Sequence, residues 1–158
     1  MVRDYYFDTS ALLKGYITED GSAWVRDILA EATSFVFTSD MTRVEAACAF
    51  ARREREGAFS SLEHAKLWRA FEHDMRYKLY RLRVNRQTLA AASRFGRTHP
   101  LRAYDALQLA SAWLMNKRLD REGKRPLVFV GADRRLQEIA AQIGLATQNP
   151  LDYRSAVS

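Results

Sequence analysis

Leu127-Val128-Phe129-Val130 is an unbroken apolar run between a basic loop and a Gly131-Ala132 step. A strand with one wet face alternates apolar and polar residues, whereas a strand covered on both faces need not. Such runs belong to parallel sheets flanked by crossover helices. The rest of the chain repeats the same unit. Strands are expected at residues 2–7, 35–37 and 79–84, with a short last one at 145–147. Helical spacing of apolar residues places helices at 9–14, 23–32, 40–56, 61–77, 86–98, 102–119 and 134–143. Ser22, Ser39, Ser60 or Ser61, and Asn85 are the expected N-caps. Alternating strands and helices predict an α/β sandwich around a mostly parallel sheet. With no repeat, linker or low-complexity segment, residues 1–158 are read as one domain.

The formal charge is +6, and 20 of the 25 basic residues are Arg. The planar guanidinium matches phosphate oxygens, so this balance points towards nucleic acid. Cys48 is the only cysteine, which excludes an internal disulfide; its neighbours Ala46, Ala47 and Phe50 predict a core thiol. One free cysteine fits a reducing cytoplasm. No signal peptide is expected, because acids and Lys14 interrupt the N-terminal segment, and no stretch is long and apolar enough to span a membrane. Phosphate-binding glycine loops, a nucleophile elbow and the H-E-x-x-H zinc signature are all absent. His64, His73 and His99 have no zinc-ligand spacing and are read as surface or structural.

Four acids stand apart from the surface carboxylates. Asp8 follows the aromatic strand Tyr5-Tyr6-Phe7, and Asp133 follows the Leu127–Val130 strand; both stand where a strand hands over to a helix. Glu45 shares a predicted helical face with Met41, Cys48 and Ala49, and Asp105 shares one with Leu109, Ala112 and Trp113. Each has a plain structural explanation. Asp8 and Asp133 suit N-caps, Asp105 suits the first turn of a helix, and Glu45 suits an ion pair with Arg43 or Arg52. Taken together, all four fall on the carboxyl rim of one parallel sheet, where open α/β folds bind ligands. Carboxylates crowded there stay ionised only around a cation. All-oxygen donors favour Mg²⁺ or Mn²⁺. Such a cation serves phosphodiester hydrolysis by neutralising phosphate and acidifying water.

The segments Asp8-Thr9-Ser10-Ala11-Leu12-Leu13-Lys14, Thr42-Arg43-Val44-Glu45, Leu101-Arg102-Ala103-Tyr104-Asp105-Ala106-Leu107-Gln108-Leu109-Ala110 and Ala132-Asp133-Arg134-Arg135-Leu136 occur in that order. Together they resemble the PIN-domain family, and within it the VapC-type toxins of toxin–antitoxin pairs. The resemblance implies a three-layer α/β/α sandwich and a Mg²⁺- or Mn²⁺-dependent endoribonuclease. It further implies a homodimer, a cognate antitoxin protein as partner, and Asp8, Glu45, Asp105 and Asp133 as catalytic and metal-binding acids. Gly131 departs from the pattern, since many members carry Thr or Ser at that position. Ser10 is a candidate supporting group. Lys14, Arg43, Arg102, Arg134 and Arg135 are candidates for contact with a single-stranded or looped RNA, and Lys117, Arg118, Arg121, Lys124 and Arg125 form a second basic cluster. Two alternatives stay open: a PIN-fold module that binds nucleic acid or protein without cutting, and an α/β module whose acids are only caps and ion pairs.

Overall fold

The computed structural model describes residues 3–153. Its centre is a five-stranded sheet built from β1 (Asp4–Phe7), β2 (Val36–Ser39), β3 (Tyr80–Leu82), β4 (Leu127–Val130) and β5 (Ala146–Gln148). The spatial order is β3-β2-β1-β4-β5, and every pairing is parallel. The chain leaves β1 outwards to β2 and β3, then returns to the other side of β1 for β4 and β5. The order therefore reverses between β1 and β4, and a crevice opens at their carboxyl ends. Val2, read as part of the first strand, lies outside the described residues.

Helices cover both faces. α1 (Thr9–Leu12), α2 (Ser22–Ala30), α3 (Met41–Arg55) and α4 (Ser61–Tyr77) pack on one core, with Tyr5, Phe7, Val128 and Val130 from the sheet. α5 (Arg86–Thr98), α6 (Ala103–Arg121) and α7 (Arg134–Gln142) pack on the other, with Tyr6, Phe37, Leu127 and Phe129. Neighbours along each strand point to opposite cores, which is why β1 and β4 are buried at every residue. The result is the three-layer α/β/α sandwich.

The capping chemistry departs from expectation at two helices. Ser60 and Asn85 cap α4 and α5 through reciprocal capping boxes. Ser22 does not cap α2. Gly21 occupies the cap with φ 84°, while the Ser22 hydroxyl donates to Ile17 O at 3.1 Å and accepts from Glu19 N at 2.9 Å. A Cβ on Gly21 would stand 2.6 Å from the Pro150 carbonyl oxygen, so only glycine fits. At α3 the cap residue is Asp40, and Ser39 reaches only the Met41 N–H at 3.2 Å.

Cys48 is exposed, which corrects the expected core thiol. The buried stripe of α3 is Thr42, Ala46 and Phe50, one per turn, and Cys48 falls to its side. Its apolar neighbours Ala46 and Phe50 belong to that stripe without drawing Cys48 into it.

Candidate active site

Asp8 sits at the end of β1 with only 4% exposure. It caps α1: Oδ1 accepts from Ala11 N at 2.8 Å and from the Ser10 hydroxyl at 2.9 Å. Burial nonetheless pushes its carboxyl up to about 7, against the pull of those two bonds, with Glu45 and Asp105 adding like-charge repulsion. The other oxygen, Oδ2, lies beside Gly131, where a Cβ would come within 3.2 Å of it and within 3.0 Å of the Phe129 ring. The departure at Gly131 thus leaves backbone against Asp8, and a larger residue has to displace the carboxylate or the ring.

Glu45, on α3, is half-buried and forms no ion pair with Arg43 or Arg52. Arg43 instead pairs with Glu72 at 2.7 Å, and Arg52 with Glu56 at 4.0 Å. Glu45 Oε1 accepts from the Gln108 amide at 2.7 Å. Burial raises its pKa and Asp105 adds to that, while Gln108 and the Thr9 hydroxyl pull it back. Asp105 occupies the first turn of α6, as its plain explanation requires. Burial raises its pKa too, followed by the charge of Asp133, with Arg102 opposing. Asp133 is exposed and caps α7, its Oδ1 accepting from Arg135 N at 2.8 Å and Leu136 N at 3.3 Å.

All four acids line one cleft of about 240 Å³, together with Ser10, Arg102, Gln108 and Arg135. The strand order accounts for this. Asp8 and Asp133 follow β1 and β4, which flank the reversal point, and the N-terminal turns of α3 and α6 reach the same rim. Other predicted groups do not line this cleft. Lys14 is buried and paired with Glu19 at 3.0 Å, and Arg134 pairs with Asp152 at 2.7 Å. In the second basic cluster, Arg118 and Lys124 both hold Glu122, and Lys117 lies over the Trp113 ring. His64 pairs with Glu54 and stacks on Phe50, a structural placement.

The donor set is all oxygen, which fits a hard divalent cation in kind. The present spacing does not close a coordination sphere: among the described residues, no group of three or more His, Cys, Asp or Glu side chains could hold a metal ion as they stand. Two carboxylates each commit one oxygen to the protein, Asp8 to the α1 cap and Glu45 to Gln108, and Asp133 is turned towards α7.

The PIN domain family matches residues 5–142, most of the chain and all four acids of the cleft. The chain belongs to the PIN domain family. Solved structures share its fold at low identity. VapBC2 from Rickettsia felis, bound to a DNA fragment from its promoter, is similar with TM-score 0.63 and 11% identity, over 92% of this chain and 98% of that one. FitAB bound to the IR36 DNA fragment gives 0.61 and 16%, over 96% and 99%. PAE2754 from Pyrobaculum aerophilum gives 0.57 and 21%, over 93% and 90%. No curated protein sequence matches significantly.

Gln108 is the functional candidate that the acidic pattern alone does not reveal. It stands one turn after Asp105 in a buried stretch of α6, with 2% exposure. The signal was present: an amide in the middle of an apolar helix must find partners.

Proposed function

We propose that the protein is a metal-dependent endoribonuclease that hydrolyses RNA phosphodiester bonds and acts as the toxin of a toxin–antitoxin pair. The observation that carries this reading is the arrival of Asp8, Glu45 and Asp105, from three separate elements, in one cleft at the switch point of the sheet. All three are partly or wholly desolvated, and all three have raised pKa values. Surface caps and ion pairs have no need of that cost.

Asp8, Glu45 and Asp105 would hold Mg²⁺ or Mn²⁺, with Asp133 at the rim. Bound there, the cation supplies positive charge for the scissile phosphate and lowers the pKa of water. The chain's own groups do the positioning. Asp8 is fixed by the α1 cap and Glu45 by Gln108. Arg102 and Arg135 line the cleft mouth, and their guanidinium forks suit the phosphate oxygens of an incoming strand. A single-stranded or looped RNA is the expected substrate rather than a continuous duplex, because splayed bases are open to sequence reading. The toxin assignment, with a cognate antitoxin and a homodimer, extends the VapC-type resemblance and the fold shared with VapBC2 and FitAB.

The test is incubation of purified, antitoxin-free protein with RNA and Mn²⁺ or Mg²⁺. Cleavage to 5′-phosphate and 3′-hydroxyl ends, stopped by a chelator, is expected. Cleavage that persists in chelator, or in a folded Asp8→Asn variant, overturns the site. A second reading is favoured by the cap role of Asp133 and the backbone packed on Asp8 at Gly131: a PIN-fold module that binds RNA and does not cut it. It predicts RNA binding with no metal-dependent products.

A further inference from the structure

We propose that Gln108 is a positioning residue of the acidic cleft: its side-chain amide, locked by the Tyr6 phenol, holds the Glu45 carboxylate in place against Asp8 and Asp105. The proposal rests on the metal-dependent reading above.

The hydrogen bonds fix which way the amide faces. An ionised carboxylate only accepts, so the Gln108 NH₂ must face Glu45 Oε1, 2.7 Å away. Gln108 Oε1 then faces Tyr6, whose hydroxyl donates to it at 2.6 Å. The same NH₂ lies 3.1 Å from the Thr9 hydroxyl and 3.1 Å from that of Thr42. Tyr6 is wholly buried and stacks on Phe129, so its hydroxyl cannot swing away to solvent. A flipped amide would set oxygen against carboxylate and take away the acceptor 2.6 Å from the phenol, a costly error in a buried network.

The clamp also joins the right elements. Tyr6 stands on β1 two residues before Asp8. Gln108 stands on α6 three residues after Asp105. Glu45 stands on α3. One amide therefore ties together the three elements that carry the three acids. Groups that orient a ligand typically change metal affinity about 10- to 100-fold when removed.

The test compares wild type with Gln108→Met, which keeps the volume and loses the hydrogen bonds, with Tyr6→Phe, and with the double variant. Mn²⁺ affinity is measured by calorimetry on RNA-free protein, and the melting temperature is taken without metal. Gln108→Met is expected to weaken Mn²⁺ binding at least about 10-fold. Tyr6→Phe is expected to weaken it less, and to add little in the double variant, because Tyr6 acts through Gln108. Unchanged Mn²⁺ affinity in Gln108→Met with a lowered melting temperature overturns the proposal and makes Gln108 purely structural. If Gln108→Met does not fold, Tyr6→Phe decides, with unchanged Mn²⁺ affinity counting against the clamp. Wild type that binds no Mn²⁺ removes the underlying reading as well, which separates that failure from failure of the clamp.

Discussion

Asp8 serves as a helix cap with Oδ1 and leaves Oδ2 beside Gly131. Its carboxyl stands at about 7 in the fold, against an ordinary 3.8. The folded state therefore keeps a proton that the unfolded state has released. Stability from this group is full below about pH 4 and is lost as pH rises towards 7, an effect of up to about 4 kcal/mol. Asp8→Asn keeps the oxygen that accepts from Ala11 and removes the charge. Metal-free Asp8→Asn should melt higher than wild type at pH 8, with the difference shrinking towards pH 4. Melting curves at the two pH values check this, and a variant less stable at pH 8 contradicts it. At this scale the sequence was partly readable. Asp8 and Asp133 were legible as strand-end acids, and both do cap their helices. What spacing could not supply was the choice between cap and ligand, because one carboxylate has two oxygens and can do both. Glu45 was legible as an acid on an apolar helical face, with Arg43 and Arg52 as the partners that the sequence offers. Its partner was not, because Gln108 lies 63 residues away in the chain.

Helices and strands were the most readable level, and their ends the least. The Leu127–Val130 strand stands at its expected bounds, because a short unbroken apolar run suits a strand covered on both faces. Capping boxes at Ser60 and Asn85 were equally plain. Ser22 does not keep the cap because a tertiary contact overrides local preference: the chain turns under Pro150 and needs Gly21 at positive φ there. The same region stacks Trp24 on Tyr153 at 4.4 Å, joining α2 to the short 3-10 turn Pro150–Tyr153. Gly21→Ala should destabilise by more than about 1 kcal/mol, read by denaturant unfolding, since it adds both backbone strain and a clash. An unchanged midpoint would mean that α2 does not depend on this approach. The face of Cys48 failed for a related reason. Residues one position apart on a helix point 100° apart, so a stripe inferred from small residues such as Ala46, Ala47 and Ala49 is poorly fixed in rotation.

At the scale of the whole molecule, the order β3-β2-β1-β4-β5 makes a cleft from acids dispersed along the chain. The α/β alternation was visible in the sequence, and the crevice follows from it. The positive charge was visible too, but its distribution was not. Arg43, Arg53, Arg118 and Arg134 are held by local acids, which leaves Arg102 and Arg135 among the cleft-lining cations. RNA affinity should fall with salt, and Arg102→Ala or Arg135→Ala should each reduce the salt slope by about 1 in a filter-binding titration. Arg134→Ala should leave the slope nearly unchanged, because that side chain is held by Asp152. The central claim is that the desolvated acids hold a cation for RNA hydrolysis. Its most direct test is cleavage of one RNA with Mn²⁺ by wild type and by Asp105→Asn, both first shown to be folded. The account predicts metal-dependent cleavage by wild type and a loss of at least about 100-fold in the variant, the lower end for removing one preorganised group that stabilises transition-state charge. Equal cleavage by the two proteins, or none by wild type with Mn²⁺ present, would contradict it.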